Sequence, residues 1–235
     1  MIKNLFKSIA IAILMVLFPI MASVIIQVNN IKSDILGYGI QTIFFAIAST
    51  IGIIIYKKVK YNKKDKGSKI YKQVLWYTPI IISEIIVFSS KIDLSKDIFY
   101  YIILLIFTVF VGISEELFFR GIILNILSEK SKRYAILVSA ILFSILHLTN
   151  IAGGISIKYV VLQVVFSFIF GVVAGQITVI SRSLLPAIIW HFTHDFIAFL
   201  TGNELSKKTI IVLVVQCVIL LIYSVYLSKK INKNI

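Results

Sequence analysis

Long apolar runs follow one another almost from end to end of this chain, and they constrain its fold more than any other feature. A helix that crosses about 30 Å of hydrocarbon needs roughly 20 apolar residues. Within lipid the backbone must also satisfy its own hydrogen bonds, which a helix does and an open strand does not. The sequence therefore predicts an all-α, polytopic membrane helix bundle with about eight transmembrane helices. We place them at residues 8–28, 35–56, 74–90, 98–127, 134–149, 159–180, 184–200 and 209–227.

The predicted helices divide the chain into three regions. Residues 1–97 contain three helices and a basic loop at 57–72, and residues 98–200 contain a candidate catalytic core. Residues 201–235 contain the last helix and a basic tail.

The net charge of +14 reports topology and does not indicate a nucleic-acid partner, because the basic residues lie between the apolar runs. With both termini cytoplasmic, the inner segments hold 17 of the 24 Lys and Arg residues, six lie in outer segments and Arg120 lies within a predicted helix, as the positive-inside rule requires. The basic loop 57–72 would attract anionic lipid headgroups. We therefore expect membrane lipids as partners and both termini in the cytoplasm.

Ionisable side chains within the predicted helices are the candidates for function, because such groups are costly in a bilayer unless they are paired or face a wet cavity. Counted at 1.5 Å per residue, four of them lie about 14–21 Å from the predicted cytoplasmic boundary. Three separate helices carry these four groups, which predicts one polar pocket within the membrane. The candidates are Glu84, Glu115, Glu116, Arg120, His147, His191, His194 and Asp195.

Spacing along each helix suggests roles for these groups. Glu116 and Arg120 are four residues apart and should pair on one helix face. Glu115 points about 100° away, lacks that cation, and is available as a general base for water. Asp195, four residues after His191, could fix the orientation of the imidazole.

Two further patterns indicate how the helices pack. Gly171 and Gly175 form a small-xxx-small face on the sixth helix, which permits close approach between helices. Pro186 stands where a helix can begin, because the first turn tolerates its missing amide donor.

The polar motifs resemble those of the CAAX protease and bacteriocin-processing (CPBP, or Abi) family of intramembrane endopeptidases, which includes the type II CAAX prenyl endopeptidases. The resemblance covers about residues 98–200 and implies a glutamate-dependent peptidase in an eight-helix bundle. Glu115 matches its catalytic carboxylate, His147 would help to hold the attacking water, and His191 with Asp195 would line the oxyanion site. Some members have Asn at the last position, and an ionised Asp195 can only accept hydrogen bonds. The motifs are Glu115-Glu116-x-x-x-Arg120, Phe143-x-x-x-His147 and His191-x-x-x-Asp195.

A metal-dependent mechanism is the main alternative within this activity. Glu115, His147, His191 and Asp195 are also residue types that bind Zn²⁺, although the sequence contains no HExxH motif. The resemblance favours no cofactor, with Zn²⁺ as the alternative. The single cysteine, Cys217, excludes a cage of several Cys ligands.

Other functions remain open at this point. The polar residues could only join helices, a reading we keep for Glu84 and His194, or form a proton relay in a transporter. The protein could also be a bacteriocin self-immunity protein that acts by binding. We favour hydrolysis of a hydrophobic or lipidated peptide, either of the CAAX type or a leader peptide or bacteriocin. The abundance of Ile, Lys and Asn suggests a bacterial cytoplasmic membrane, and the oligomeric state is left open.

Overall fold

The computed structural model describes residues 2–59, 77–89, 92–151, 154–201 and 206–233. These residues form eight helices and no strand, so the predicted all-helical fold is confirmed. The helices are α1 (Ile2–Val28), α2 (Asp34–Lys58), α3 (Thr78–Val87), α4 (Ile98–Ser128), α5 (Lys132–Ile151), α6 (Ile157–Ser181), α7 (Leu185–Thr201) and α8 (Lys207–Lys233).

Six of the eight helices in the described part of the chain are long and apolar enough to cross a membrane. The other two are α3, with 10 residues, and α7, with 17. Residues 74–76 and 90 of the predicted third span, and residues 60–72 of the basic loop, lie outside the described residues. The chain is therefore a multi-pass membrane protein, and the cytoplasmic placement of its termini stays a prediction.

Short polar signals set the ends of the helices around the site. The carboxylate of Asp97 accepts a hydrogen bond from the Tyr100 amide at 3.0 Å and caps the start of α4. Arg182 adopts a left-handed conformation with φ 55°, which ends α6. Pro186 is the second residue of α7, so the predicted helix start is confirmed.

Helix α4 occupies the centre of the bundle and packs against both α2 and α7. On the other side of the site, α5 packs against α6, and α6 packs against α8. The short helix α3 contacts α7 and α8. This arrangement brings α3, α4, α5 and α7, which carry the polar candidates, around a common interior.

A π-helical segment, Leu117–Ile123, interrupts α4 immediately after its two glutamates. All seven of its residues are buried. The wider turn changes the hydrogen-bonding pattern of the backbone, and Ser139 of α5 donates from its hydroxyl to the Phe119 carbonyl at 2.8 Å. Such segments occur often at functional sites, and this one carries Arg120 at its middle.

Glycines allow the helices around the site to approach closely. A Cβ at Gly112 of α4 would lie 3.1 Å from the backbone nitrogen of Phe192 in α7. A Cβ at Gly171 of α6 would lie 3.1 Å from Cα of Ala140 in α5 and 3.2 Å from Nη2 of Arg120. The helix contact predicted for the small-xxx-small face is therefore present, and it also makes room for the buried guanidinium.

Candidate active site

The imidazole of His191 lies at the centre of a cluster formed by α4 and α7. Its Nδ1 is 2.8 Å from Oε1 of Glu116. Its Nε2 lies 3.6 Å from Oε2 of Glu115 and 3.5 Å from Oδ2 of Asp195. Glu115 and Glu116 are consecutive residues, yet they approach opposite nitrogens of one ring. Three carboxylates therefore surround a single imidazole.

Behind this imidazole, Glu116 forms the predicted ion pair with Arg120. Oε1 of Glu116 is 2.9 Å from Nη1 of Arg120, and both side chains are fully buried. The guanidinium lies 4.2 Å from the centroid of the Phe143 ring, a cation–π contact. Buried charges require such compensation. Glu116 is thus held between Arg120 and His191, and it fixes the orientation of the ring.

The exposure of these side chains separates a buried side of the site from an open side. The Glu116 side chain is 0% exposed and that of His191 is 5% exposed. The Glu115 side chain is 16% exposed and that of Asp195 is 24% exposed. A water molecule or a substrate can therefore approach Glu115 and Asp195, whereas Glu116 is inaccessible.

His147 joins this cluster through an aromatic side chain and not through a carboxylate. It is the half-buried first residue of a short 3₁₀ segment that ends α5. The Phe143 ring packs edge-on against His147 at 5.1 Å and against His191 at 5.7 Å between centroids. Within the described residues, His147 forms no hydrogen bond or ion pair, so its role in holding water stays a prediction.

Glu84 and His194, which the sequence left as separate structural residues, contact each other. Nδ1 of His194 is 3.1 Å from Oε2 of Glu84, and the indole nitrogen of Trp190 donates to Oε1 of Glu84 at 2.8 Å. The His194 ring stacks on Phe166 at 4.7 Å. A second carboxylate–imidazole pair thus lies one helix position from Asp195. The sequence could have indicated this pair, because Glu84 and His194 are an acid and a potential base embedded in different predicted helices.

The sequence predicted that Asp195 could orient His191, and that role stays a prediction, with Oδ2 of Asp195 lying 3.5 Å from Nε2 of the ring. The structure adds a shorter contact that the sequence did not reveal, between Nδ1 of the ring and Glu116 at 2.8 Å, where α4 and α7 pack closely at Gly112. Glu115 also has a neighbour on another helix that spacing along α4 could not predict, because Nε2 of His191 lies 3.6 Å from its Oε2.

The proposed zinc ligands do not form a metal cluster in the part of the chain described here. No group of three or more His, Cys, Asp or Glu residues within it has an arrangement that could hold a metal ion. The choice between a metal-free and a metal-dependent reaction stays a prediction, for which we give a test below.

Comparisons with known proteins agree with the motifs. Residues 97–197 match the family model described as Type II CAAX prenyl endopeptidase Rce1-like. Searches of curated proteins and of solved structures found no match. The matched segment contains every residue of the His191 cluster and extends from the start of α4 almost to the end of α7. Residues 97–197 are therefore similar to the Rce1-like domain of type II CAAX prenyl endopeptidases, and this similarity supports an intramembrane protease.

Proposed function

We propose that this protein hydrolyses a peptide bond of a hydrophobic or lipidated peptide within the membrane, using water activated by Glu115. The observation that supports this most strongly is the environment of His191. The buried Glu116–Arg120 pair contacts the ring at Nδ1, while the partly exposed Glu115 and Asp195 lie near Nε2. A histidine that only joined helices would not need buried carboxylates at one nitrogen and accessible carboxylates at the other.

The proposed reaction begins with a water molecule within hydrogen-bond reach of Glu115 and His147. Glu115 accepts a proton as the water oxygen attacks the scissile carbonyl carbon, and the C–O π electrons move to the carbonyl oxygen. His191 lines the oxyanion site. In its protonated form it donates from Nδ1 to Glu116 and from Nε2 toward the developing negative charge.

Collapse of the tetrahedral intermediate completes the reaction. The electron pair returns to form the carbonyl, the C–N bond breaks, and the proton held by Glu115 passes to the leaving amine. Asp195 cannot stabilise an oxyanion while it is ionised, because a carboxylate only accepts hydrogen bonds. In this scheme Asp195 instead contacts His191 on the open side of the ring, at 3.5 Å.

The location of the site supports the proposed substrate class. Because the reacting groups lie on helices of a membrane bundle, we propose that the peptide reaches them from the bilayer. An apolar or lipid-modified peptide partitions there. Besides CAAX peptides, we propose leader peptides and bacteriocins as substrates, and a bacterial cytoplasmic membrane as the location.

The proposal is tested by incubating the full-length protein in lipid nanodiscs with hydrophobic peptides, each prepared with and without a prenyl group. Loss of a general base lowers the rate about 100- to 10,000-fold, which is the effect expected for Glu115→Gln. Glu129→Gln is the matched control, because this exposed glutamate follows α4 directly and lies outside the site. Undiminished cleavage by both Glu115→Gln and His147→Ala would refute the assignment.

The same variants distinguish a peptidase from a binding-only immunity protein. Peptide binding should survive Glu115→Gln, which preserves the shape of the side chain, while hydrolysis is lost. If the wild-type protein binds the peptide and never cleaves it, under conditions in which the protein is folded, the binding function replaces the enzymatic one.

A further inference from the structure

A polar cavity lies at one end of the bundle, away from the His191 cluster. Its volume is about 740 Å³, and it is lined by the beginning of α1 and the ends of α2 and α4. Nδ2 of Asn4 closes one side by donating to the Ile126 carbonyl at 3.3 Å and to Oε2 of Glu129 at 2.9 Å. The polar residues of the lining are Asn4, Lys7, Lys58, Asn125, Ser128 and Glu129.

The described residues that line this cavity carry a net positive charge. Lys7 and Lys58 are both exposed, and neither forms an ion pair with a residue in the described part of the chain. Glu129 is the acidic residue among the described lining residues, and it accepts the hydrogen bond from Asn4. Two lysines and one carboxylate leave a net charge of +1 on this lining, which favours an anionic ligand.

An unused donor adds a second observation. Nδ2 of Asn125 is buried and has no hydrogen-bond partner among the described residues. A buried amide donor without a partner costs stability, so it indicates an acceptor that the protein itself does not supply. Asn125 lines the same cavity as the two lysines, so a small shift of its side chain would let Nδ2 donate to an acceptor bound there.

The cavity is lined by apolar as well as cationic side chains. Ile11 lies one turn from Lys7 along α1, and Ile55 lies close to Lys58 along α2, so apolar side chains complete the lining next to the cations. A ligand that carries an anionic group at one end and a hydrocarbon part at the other would satisfy both. The position at helix ends, where a membrane protein meets the aqueous boundary, matches that of a lipid headgroup.

The helix macrodipole accounts for only part of this pattern. Lys58 is the last residue of α2, where a cation is favourable. Lys7 lies in the second turn of α1, where the dipole offers a cation no comparable partner. An external anion would stabilise both lysines together.

We infer that this cavity binds a phosphate group, with Lys7 and Lys58 as its cationic ligands and Asn125 as a hydrogen-bond donor. The phosphate can belong to an anionic phospholipid headgroup or be a free anion, and the apolar lining favours the phospholipid. The inference does not depend on the proposed peptidase activity.

The test titrates the purified full-length protein in a neutral detergent with phosphatidylglycerol and, separately, with phosphatidylcholine of the same acyl chains. Native mass spectrometry counts the lipids that stay bound. The double variant Lys7→Gln/Lys58→Gln should weaken binding of the first phosphatidylglycerol about 30-fold, from the usual contribution of each lysine near an anionic lipid. Lys3→Gln/Lys57→Gln is the matched control, because it removes equal charge from the same two helices outside the cavity.

Inorganic phosphate distinguishes the two sources. If millimolar phosphate displaces the first phosphatidylglycerol, the site accepts the free anion; if the lipid remains bound, the headgroup and its chains are both needed. Equal losses in the two double variants would reduce the effect to diffuse attraction and overturn the inference. So would a wild-type protein that neither prefers phosphatidylglycerol nor binds phosphate. Should Lys7→Gln/Lys58→Gln fail to fold, Asn125→Leu provides the same test, because it removes the unused donor and no charge.

Discussion

The buried pair of Glu116 and Arg120 gives the sharpest prediction about stability. Both side chains are fully buried, and Glu116 also contacts His191 at 2.8 Å. Glu116→Gln preserves the shape of the side chain but leaves the guanidinium without its counterion. Removing one partner of a buried ion pair costs about 3–5 kcal/mol, and we expect a loss of this size in the free energy of unfolding.

A double-mutant cycle tests whether this loss arises from the pair. Arg120→Met removes the charge but keeps a long apolar side chain against Phe143, which lies 4.2 Å from the guanidinium. The combination Glu116→Gln/Arg120→Met should therefore be more stable than Glu116→Gln alone, because no charge is left unpaired in the core.

The assay is reversible unfolding of the full-length protein in mixed micelles, followed by circular dichroism. Glu129→Gln serves as the control, because the amide oxygen of Gln can still accept the hydrogen bond from Asn4 and an exposed substitution of this kind changes stability by no more than about 0.5 kcal/mol. Additive losses in the cycle would show that Glu116 and Arg120 do not interact energetically, and the account of the buried side of the site would then be wrong.

Three further predictions concern packing, metal dependence and topology. Gly171→Ala should destabilise the protein by about 1–3 kcal/mol through overpacking, while Gly39→Ala, with no atom within 4 Å of the added Cβ, should not; equal melting temperatures for these two variants would contradict the close helix contact. Peptide hydrolysis should persist in the presence of a zinc chelator, and its complete loss, restored by Zn²⁺, would establish the metal-dependent alternative. In a Cys217→Ala background, Lys3→Cys should be protected from a membrane-impermeant maleimide in intact cells and Lys96→Cys should be labelled; the reverse pattern would place the termini outside.

The number and order of the eight helices in the described residues were predicted from the sequence, although only six of them are long and apolar enough to cross a membrane. The helix start at Pro186 was also predicted, because the first turn of a helix tolerates the missing amide donor. The length of α7 was also predicted, since the predicted span 184–200 and the observed helix Leu185–Thr201 both have 17 residues. The apolar pattern did not reveal the π segment, because the wider turn leaves no hydrophobic period of its own.

The sequence predicted which residues come together in the polar cluster, but it predicted only some of the contacts between them. The Glu116–Arg120 pair followed from spacing, because residues four apart share a helix face. The contact between Glu116 and His191 did not, since it depends on how α4 and α7 are rotated and how closely they pack. The partnership of Glu84 with His194 depends in the same way on the position of α3.

The sequence by itself therefore determined that this protein spans a membrane, and it predicted that the embedded charges lie at similar depths on a few helices. Only the tertiary structure decided which carboxylate lies nearest to His191, which carboxylates remain accessible, and where Lys7 and Lys58 line a common cavity. The physical reason is that spacing along a helix specifies only the contacts within that helix. Contacts between helices depend on interhelical distance and rotation, which small residues such as Gly112 and Gly171 control here.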